Sequence, residues 1–199
     1  MRRVDFNITQ KEVFEGFLCE QTFGSFAIND TKYPYIFVVN FAYNAGSLFF
    51  HGAKEGRKYE LINQNAFASF NAYKPYSYIP SYFGNTKFAC GATQFFASVF
   101  CEGELKELND DIKKAKALNL LMQKHQDKNS FLDIEENLSM YKTMMDKTAV
   151  FEFKIENWSM KIKVGQQLNE EKRENLINHL EDENSDISKE TIKTIKTYM

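Results

Sequence analysis

Apolar residues come in short bursts through the first hundred positions and then fall more often at helical spacing. Thr9 reads as the N-cap of a short amphipathic helix whose Val13, Phe14, Phe17 and Leu18 share one face. Gly24 opens a strand over 25–28 that ends in the turn signal Asn29-Asp30. A second strand, from Tyr35 to Tyr43, is apolar on both faces, as expected in a sheet covered on both sides. Asn44-Ala45-Gly46 reads as a tight hairpin turn into a third strand over 47–51. A helix over 55–63 and a fourth strand over 66–72 follow. Residues 73–93 hold Pro75, Pro80, Gly84, Asn85 and Gly91 among four tyrosines, and read as a long loop. Such a loop is either functional or packed by its own aromatics.

A fifth strand spans 93–108, with Gly103 as a bend or bulge. Asn109 is the expected cap of a helix whose apolar face is Ile112, Ala115, Leu118, Leu121 and Met122. After a charged connection, 148–155 alternates and 158–164 continues it as a final strand pair. From Gln166 charged and amide residues dominate. Leu176, Ile177 and Leu180 mark one helix there, and Ile187, Ile192 and Ile195 a weaker second. The expected organisation is a barrel domain over 1–165 and a charged helical tail over 166–199, which docks on the barrel or on a partner subunit. The fold class is mainly β, a small closed barrel of about six strands with peripheral helices.

The 29 Phe and Tyr residues are ample for a core in 199 residues. A net charge of −2 argues against a nucleic-acid binder. No apolar run is long enough to span a membrane, and Met1-Arg2-Arg3 is not followed by an apolar signal core, so a cytoplasmic protein is expected. Cys19, Cys90 and Cys101 lack metal or disulfide spacing, and His51, His125 and His179 lie far apart, so no metal site is expected. His125 reads as a partner for its helix C-terminus, and His179 as a solvated tail residue. No GxGxxG follows a strand, so a Rossmann dinucleotide site is not indicated.

The chemistry gathers at residues 50–58. Phe50 and His51 end an apolar strand, a Gly-containing turn follows, and Arg57 and Lys58 open a helix. A helix N-terminus with two adjacent cations suits a phosphate monoester. A solvated surface turn is the alternative reading of the same residues.

The run PYIFVVNFAYNAGSLFFHGAKEGRKYEL, then ATQFFASVFCEGELKEL and KALNLLMQKH, resembles the FMN-binding split-barrel superfamily typified by pyridoxamine 5′-phosphate oxidase. Within it the chain looks most like the nitroimidazole-resistance flavoproteins, and MRRVDFNIT and TAVFEFKIENWSMKIKVGQ extend the likeness over about 1–168. The resemblance implies a six-stranded FMN-binding split barrel, assembled as a homodimer with FMN at the subunit interface. It places Tyr35, Ile36, Phe37, Val38, Val39 and Asn40 along the flavin ring. It also places Phe50 and His51 beside the ring and ribityl chain, Arg57 and Lys58 on the phosphate, and Ser98 against the flavin from across the barrel. Val38 stands where many relatives have proline, and Phe96-Ala97 replaces a commoner Tyr-Glu. The Arg-x-His substrate-phosphate motif of the oxidase itself is missing, which disfavours vitamin B6 oxidation.

The expected activity is an FMN-dependent oxidoreductase, a reductase of small electron-poor compounds such as nitroaromatics, with NAD(P)H as a candidate donor. His51 is the candidate catalytic residue, as a proton donor, or else it holds the cofactor. Tyr73, Tyr76, Tyr78 and Tyr82 could form a lid over the flavin or pack within their loop. Two alternatives stay open. One is a haem-binding or haem-degrading protein, which would need one of the three histidines as axial ligand. The other is a non-catalytic FMN-binding sensor.

Overall fold

The computed structural model describes residues 3–84, 88–127, 130–135 and 137–198. Met1, Arg2 and Asn85, which entered the sequence reading, lie outside the described residues. The chain packs as two compact units. An aromatic unit comprises Lys11–Ala72 and Phe100–Trp158, and a terminal unit comprises Met1–Gln10, Tyr73–Val99 and Ser159–Met199.

Among the described residues eight strands form one sheet: β1 (Asn7–Ile8), β2 (Phe23–Ile28), β3 (Tyr35–Asn40), β4 (Ala42–Asn44), β5 (Ser47–Ala53), β6 (Phe67–Ile79), β7 (Thr93–Glu107) and β8 (Thr148–Lys163). Their order is β3-β2-β6-β7-β8-β5-β4, with β1 added to β8. The described residues also form the helices α1 (Lys11–Glu20), α2 (Arg57–Gln64), α3 (Asp111–His125), α4 (Leu138–Lys147), α5 (Glu170–Glu183) and α6 (Asp186–Tyr198). The architecture is mainly β with peripheral helices, a split barrel. The short β1 is not among the expected strands, and the strand expected from Tyr35 to Tyr43 is interrupted at Phe41 and divides into β3 and β4.

In the aromatic unit the inward positions of several strands are phenylalanines, which fill the curled sheet. Phe26 on β2 lies 5.0 Å, centroid to centroid, from Phe50 on β5, 4.8 Å from Phe70 on β6 and 5.1 Å from Phe153 on β8. All four are fully buried, and each contributes about 1.5–3 kcal/mol by leaving water. The β4–β5 hairpin turns on Ala45 and Gly46, both at positive φ, a geometry whose twist matches paired strands. Tyr43 locks it, accepting from the Gly46 N–H and donating to Glu15 on α1. Burial and that carboxylate push the Tyr43 phenol up to about 12. The Phe14 ring of α1 stacks on Trp158 at 4.2 Å.

Several expectations change. β6 runs to Ile79, through Pro75, so residues 73–79 are strand rather than loop. Pro75 is exposed there, where a missing ladder donor is tolerated. Short 3-10 turns follow at Ser81–Gly84 and Ala89–Gly91. Asp110, not Asn109, caps α3, accepting from the Lys113 N–H at 2.9 Å. Ile112 is 53% exposed; the helix instead buries Ala115, Ala117, Asn119 and Leu121. Asn119 is satisfied there because its Oδ1 accepts from the Ile134 N–H. The charged connection contains α4, whose Met145 packs with Ala115 and Ile134. Residues 148–163 are one strand rather than a pair. Gly103 is a point of close approach: a Cβ there would lie 2.0 Å from the Lys154 carbonyl oxygen.

In the terminal unit α5 and α6 bury Leu176, Leu180 and Ile195. The Ser77 N–H donates to Thr191 Oγ1 at 2.9 Å, fixing α6 to β6. His179 is not a solvated residue; its ring stacks on Phe83 at 4.3 Å. Among the described residues no helix is long and apolar enough to cross a membrane.

Candidate functional site

The predicted corner lies wholly in the aromatic unit. β5 pairs antiparallel with β8, placing His51 opposite Val150 and Gly52 opposite Ala149. Three residues past the strand end, Gly56 takes a positive φ of 83° and turns the chain into α2 without a side-chain cap. The Glu60 N–H closes the first helical turn onto the Gly56 carbonyl. The Arg57, Lys58 and Tyr59 N–H groups therefore precede the intrahelical ladder and face outward as donors.

The two adjacent cations have different surroundings. Arg57 donates from Nε and from a terminal nitrogen to the Asp30 carboxylate, and its guanidinium lies 4.7 Å from the Tyr35 ring centroid. The guanidinium hydrogen bonds, with the Thr31 N–H behind them, hold the Asp30 carboxyl below the usual carboxylate range. Lys58 has no carboxylate within ion-pair distance among the described residues. Its ammonium lies 5.9 Å from the Phe37 ring centroid and close against β5 at Gly52. A Cβ at Gly52 would come 2.6 Å from Lys58 Nζ, so only glycine leaves the ammonium that berth. Burial lowers the Lys58 pKa from the ordinary lysine value. His51 is exposed at the surface, yet the protein around it partly desolvates the ring. That desolvation, with Lys58 beside it, lowers the imidazole pKa, so His51 is neutral near pH 7.

The other predicted residues divide by face. β3 buries Phe37 and Val39 and turns Ile36 and Val38 outward, 66% and 65% exposed. Only one face of this strand is covered by the chain, contrary to the expectation of a strand covered on both. β3 also lies at one end of the sheet order, opposite its pairing with β2, and an edge strand offers unpaired N–H and C=O groups. Tyr35 is half-buried and Asn40 exposed. The Phe50 side chain is inside the core, stacked on Phe151 at 4.9 Å, so only its backbone reaches the site side of β5. Ser98 is half-buried on β7, in the terminal unit, on the same strand face as Phe96.

Sequence reasoning missed Asp30 and Gly52. Asp30 read as a turn residue and Gly52 as part of a turn; neither type signals a partner distant in sequence.

A cavity of about 510 Å³ lies elsewhere, in the terminal unit, between the 3-10 turns and the start of α5, lined by Ile79, Phe83, Phe95, Leu168 and Asn175 among others. It contains none of the residues above. The charge and donor chemistry sits at the open corner, and size does not move the site.

Residues 10–162 match the pyridoxamine 5′-phosphate oxidase family, and the chain belongs to it. No curated protein sequence matches. Among solved structures, the chain is similar to a candidate 5-nitroimidazole antibiotic resistance protein from Bacteroides thetaiotaomicron, at 20% identity and a TM-score of 0.63, over 78% of this chain and 86% of that one. A flavocytochrome from Azotobacter vinelandii is similar at 16% identity and a TM-score of 0.65, over 84% and 74% of the two chains. So is an FAD and haem binding protein from Mycobacterium smegmatis, at 16% identity and 0.63, over 80% and 74%. At these identities the likeness is one of fold.

Proposed function

We propose that the chain is an FMN-binding flavoprotein, an FMN-dependent reductase of small electron-poor compounds such as nitroaromatics, working as a homodimer with FMN at the subunit interface. The observation that carries the flavin reading is the unpaired Lys58 ammonium beside Gly52, at a helix start whose N–H groups have no side-chain cap. A phosphate monoester complements that charge and those donors. Family membership and the flavin named in two similar structures support the same reading.

The residues fit the cofactor in three places. Lys58 and the first N–H groups of α2 would hold the phosphate. The free edge of β3 would offer N–H and C=O groups to the polar rim of the ring. Ile36 and Val38 would meet an apolar surface, and a second copy of the chain would supply it. FMN supplies electron transfer when bound; the protein orients it and excludes water. Neutral His51 would donate one hydrogen bond at the ring or ribityl chain, where it could also pass a proton to a substrate.

The absorption spectrum of the purified protein tests this directly. Paired near-UV and blue bands that bleach with NADH or NADPH, and recover with a nitroaromatic, are expected. An intense Soret band without flavin bands would place haem in the site instead. Light scattering should report a dimer, and a monomer that retains FMN would refute the shared site.

A further inference from the structure

A second cluster of cations, in the terminal unit, shares no residue with those assigned to the flavin. β1 adds to β8 with Asn7 opposite Lys161 and Ile8 opposite Met160, which lays the N-terminal segment along that strand. Lys161 and Lys163 alternate with the buried Met160, Ile162 and Val164, so both share the outer face of β8. The Lys161 ammonium lies between two rings, 5.6 Å from the Phe6 centroid and 5.1 Å from that of Phe96. The Arg3 guanidinium lies over the same Phe6 ring at 5.8 Å. Lys163 Nζ donates to Thr93 Oγ1, leaving the Thr93 hydroxyl hydrogen free to donate in turn.

Three cations held this close repel one another, and acidic residues normally relieve such a cluster. Here, among the described residues, no carboxylate is within ion-pair distance of Arg3, Lys161 or Lys163. The chain has carboxylates to spare, with 27 acidic against 25 basic residues. Elsewhere it pairs its lysines, as in Lys74–Glu190 and Lys142–Asp111. The crowding also acts on Lys163, whose pKa falls first through burial and then through Lys161 and Arg3. A lone strand lysine swings freely in water; these are pinned by rings and a hydroxyl. That fixed arrangement suits a multiply charged anion.

We propose that Arg3, Lys161 and Lys163, with the Thr93 hydroxyl, form a second anion site that takes the phosphate or pyrophosphate group of a small molecule. The site is independent of the flavin reading, because it shares no residue with it.

Titration of the whole protein with inorganic pyrophosphate, followed by calorimetry at low and moderate salt, tests it. Saturable binding that weakens with salt is expected. Lys161→Gln with Lys163→Gln removes both charges while keeping polar side chains, and should weaken binding about tenfold per charge removed. Lys58→Ala should leave pyrophosphate binding at this site unchanged, and the double variant should leave FMN binding unchanged. ADP as a second titrant separates sources: tighter binding than pyrophosphate identifies a nucleotide, and equal binding a phosphate group alone. Should the double variant not fold, Arg3→Gln, at an exposed position, gives the same reading. Absence of saturable binding, or equal pyrophosphate affinity in wild type and variants, overturns the proposal.

Discussion

Lys58 Nζ rests where a side chain on Gly52 would stand, 2.6 Å from the place a Cβ would take. The berth exists because the penultimate residue of β5 is a glycine and α2 folds back with its second residue against that strand. Gly52 therefore acts as a positioning residue for a charge six positions away in sequence.

Replacing Gly52 by Ala should displace the flexible end of Lys58 without breaking the fold. The melting temperature should hold within a few degrees, while FMN affinity falls about tenfold and riboflavin affinity stays. Equal loss for both ligands would show that the ammonium does not address the phosphate.

Arg57 is already engaged by Asp30, so the two adjacent cations should not contribute equally. Charge-assisted hydrogen bonds are worth roughly 1.5–3 kcal/mol. Lys58→Ala should thus weaken FMN about ten- to a hundredfold, and Arg57→Ala less. Asp30→Asn removes the competing carboxylate and should tighten FMN several-fold. Titrations by flavin fluorescence would rank the three variants, and a larger loss for Arg57→Ala than for Lys58→Ala contradicts this account.

The pH dependence follows from the direction of the Lys58 shift. The charged amine binds phosphate, so phosphate recognition is lost as pH rises through its pKa, which burial places below the ordinary value of 10.5. The ratio of FMN to riboflavin affinity should therefore decline on the alkaline side before a normal lysine would titrate. On the acid side it should decline again near about pH 6, as the phosphate takes up its second proton. Lys58→Ala should flatten the alkaline limb alone.

His51 separates holding from proton transfer. Its lowered pKa leaves it neutral at pH 7, a hydrogen-bonding group. His51→Asn should preserve much of the turnover with a nitroaromatic, since Asn retains a short donor. A loss on the order of 10²–10⁴ in turnover at unchanged FMN affinity would instead make it a general acid.

Gly103 tests the fold itself. An alanine there meets the Lys154 carbonyl, part of a backbone that cannot swing aside as a side chain can. Gly103→Ala should lower the melting temperature well beyond the few degrees of a surface substitution, or prevent folding.

Much of this protein is legible in its sequence. The short apolar bursts, the Asn44-Ala45-Gly46 turn and the Arg57-Lys58 corner follow local rules, in which side-chain periodicity and backbone sterics act within a few residues. They mark most of the strands, the α1 and α3 helices and the corner that is the candidate site. The strand through Pro75 and the helix in the charged connection escaped, because tertiary packing overrode weak local signals at Tyr76, Ile79 and Met145. Only the tertiary structure decided that Arg57 is claimed by Asp30 while Lys58 is not, because pairing depends on which loop a folded sheet brings alongside. It likewise decided that Phe50 faces the core and Ile36 and Val38 face out. Alternation puts neighbours on opposite faces, and only the closing of the sheet determines which face is the inside.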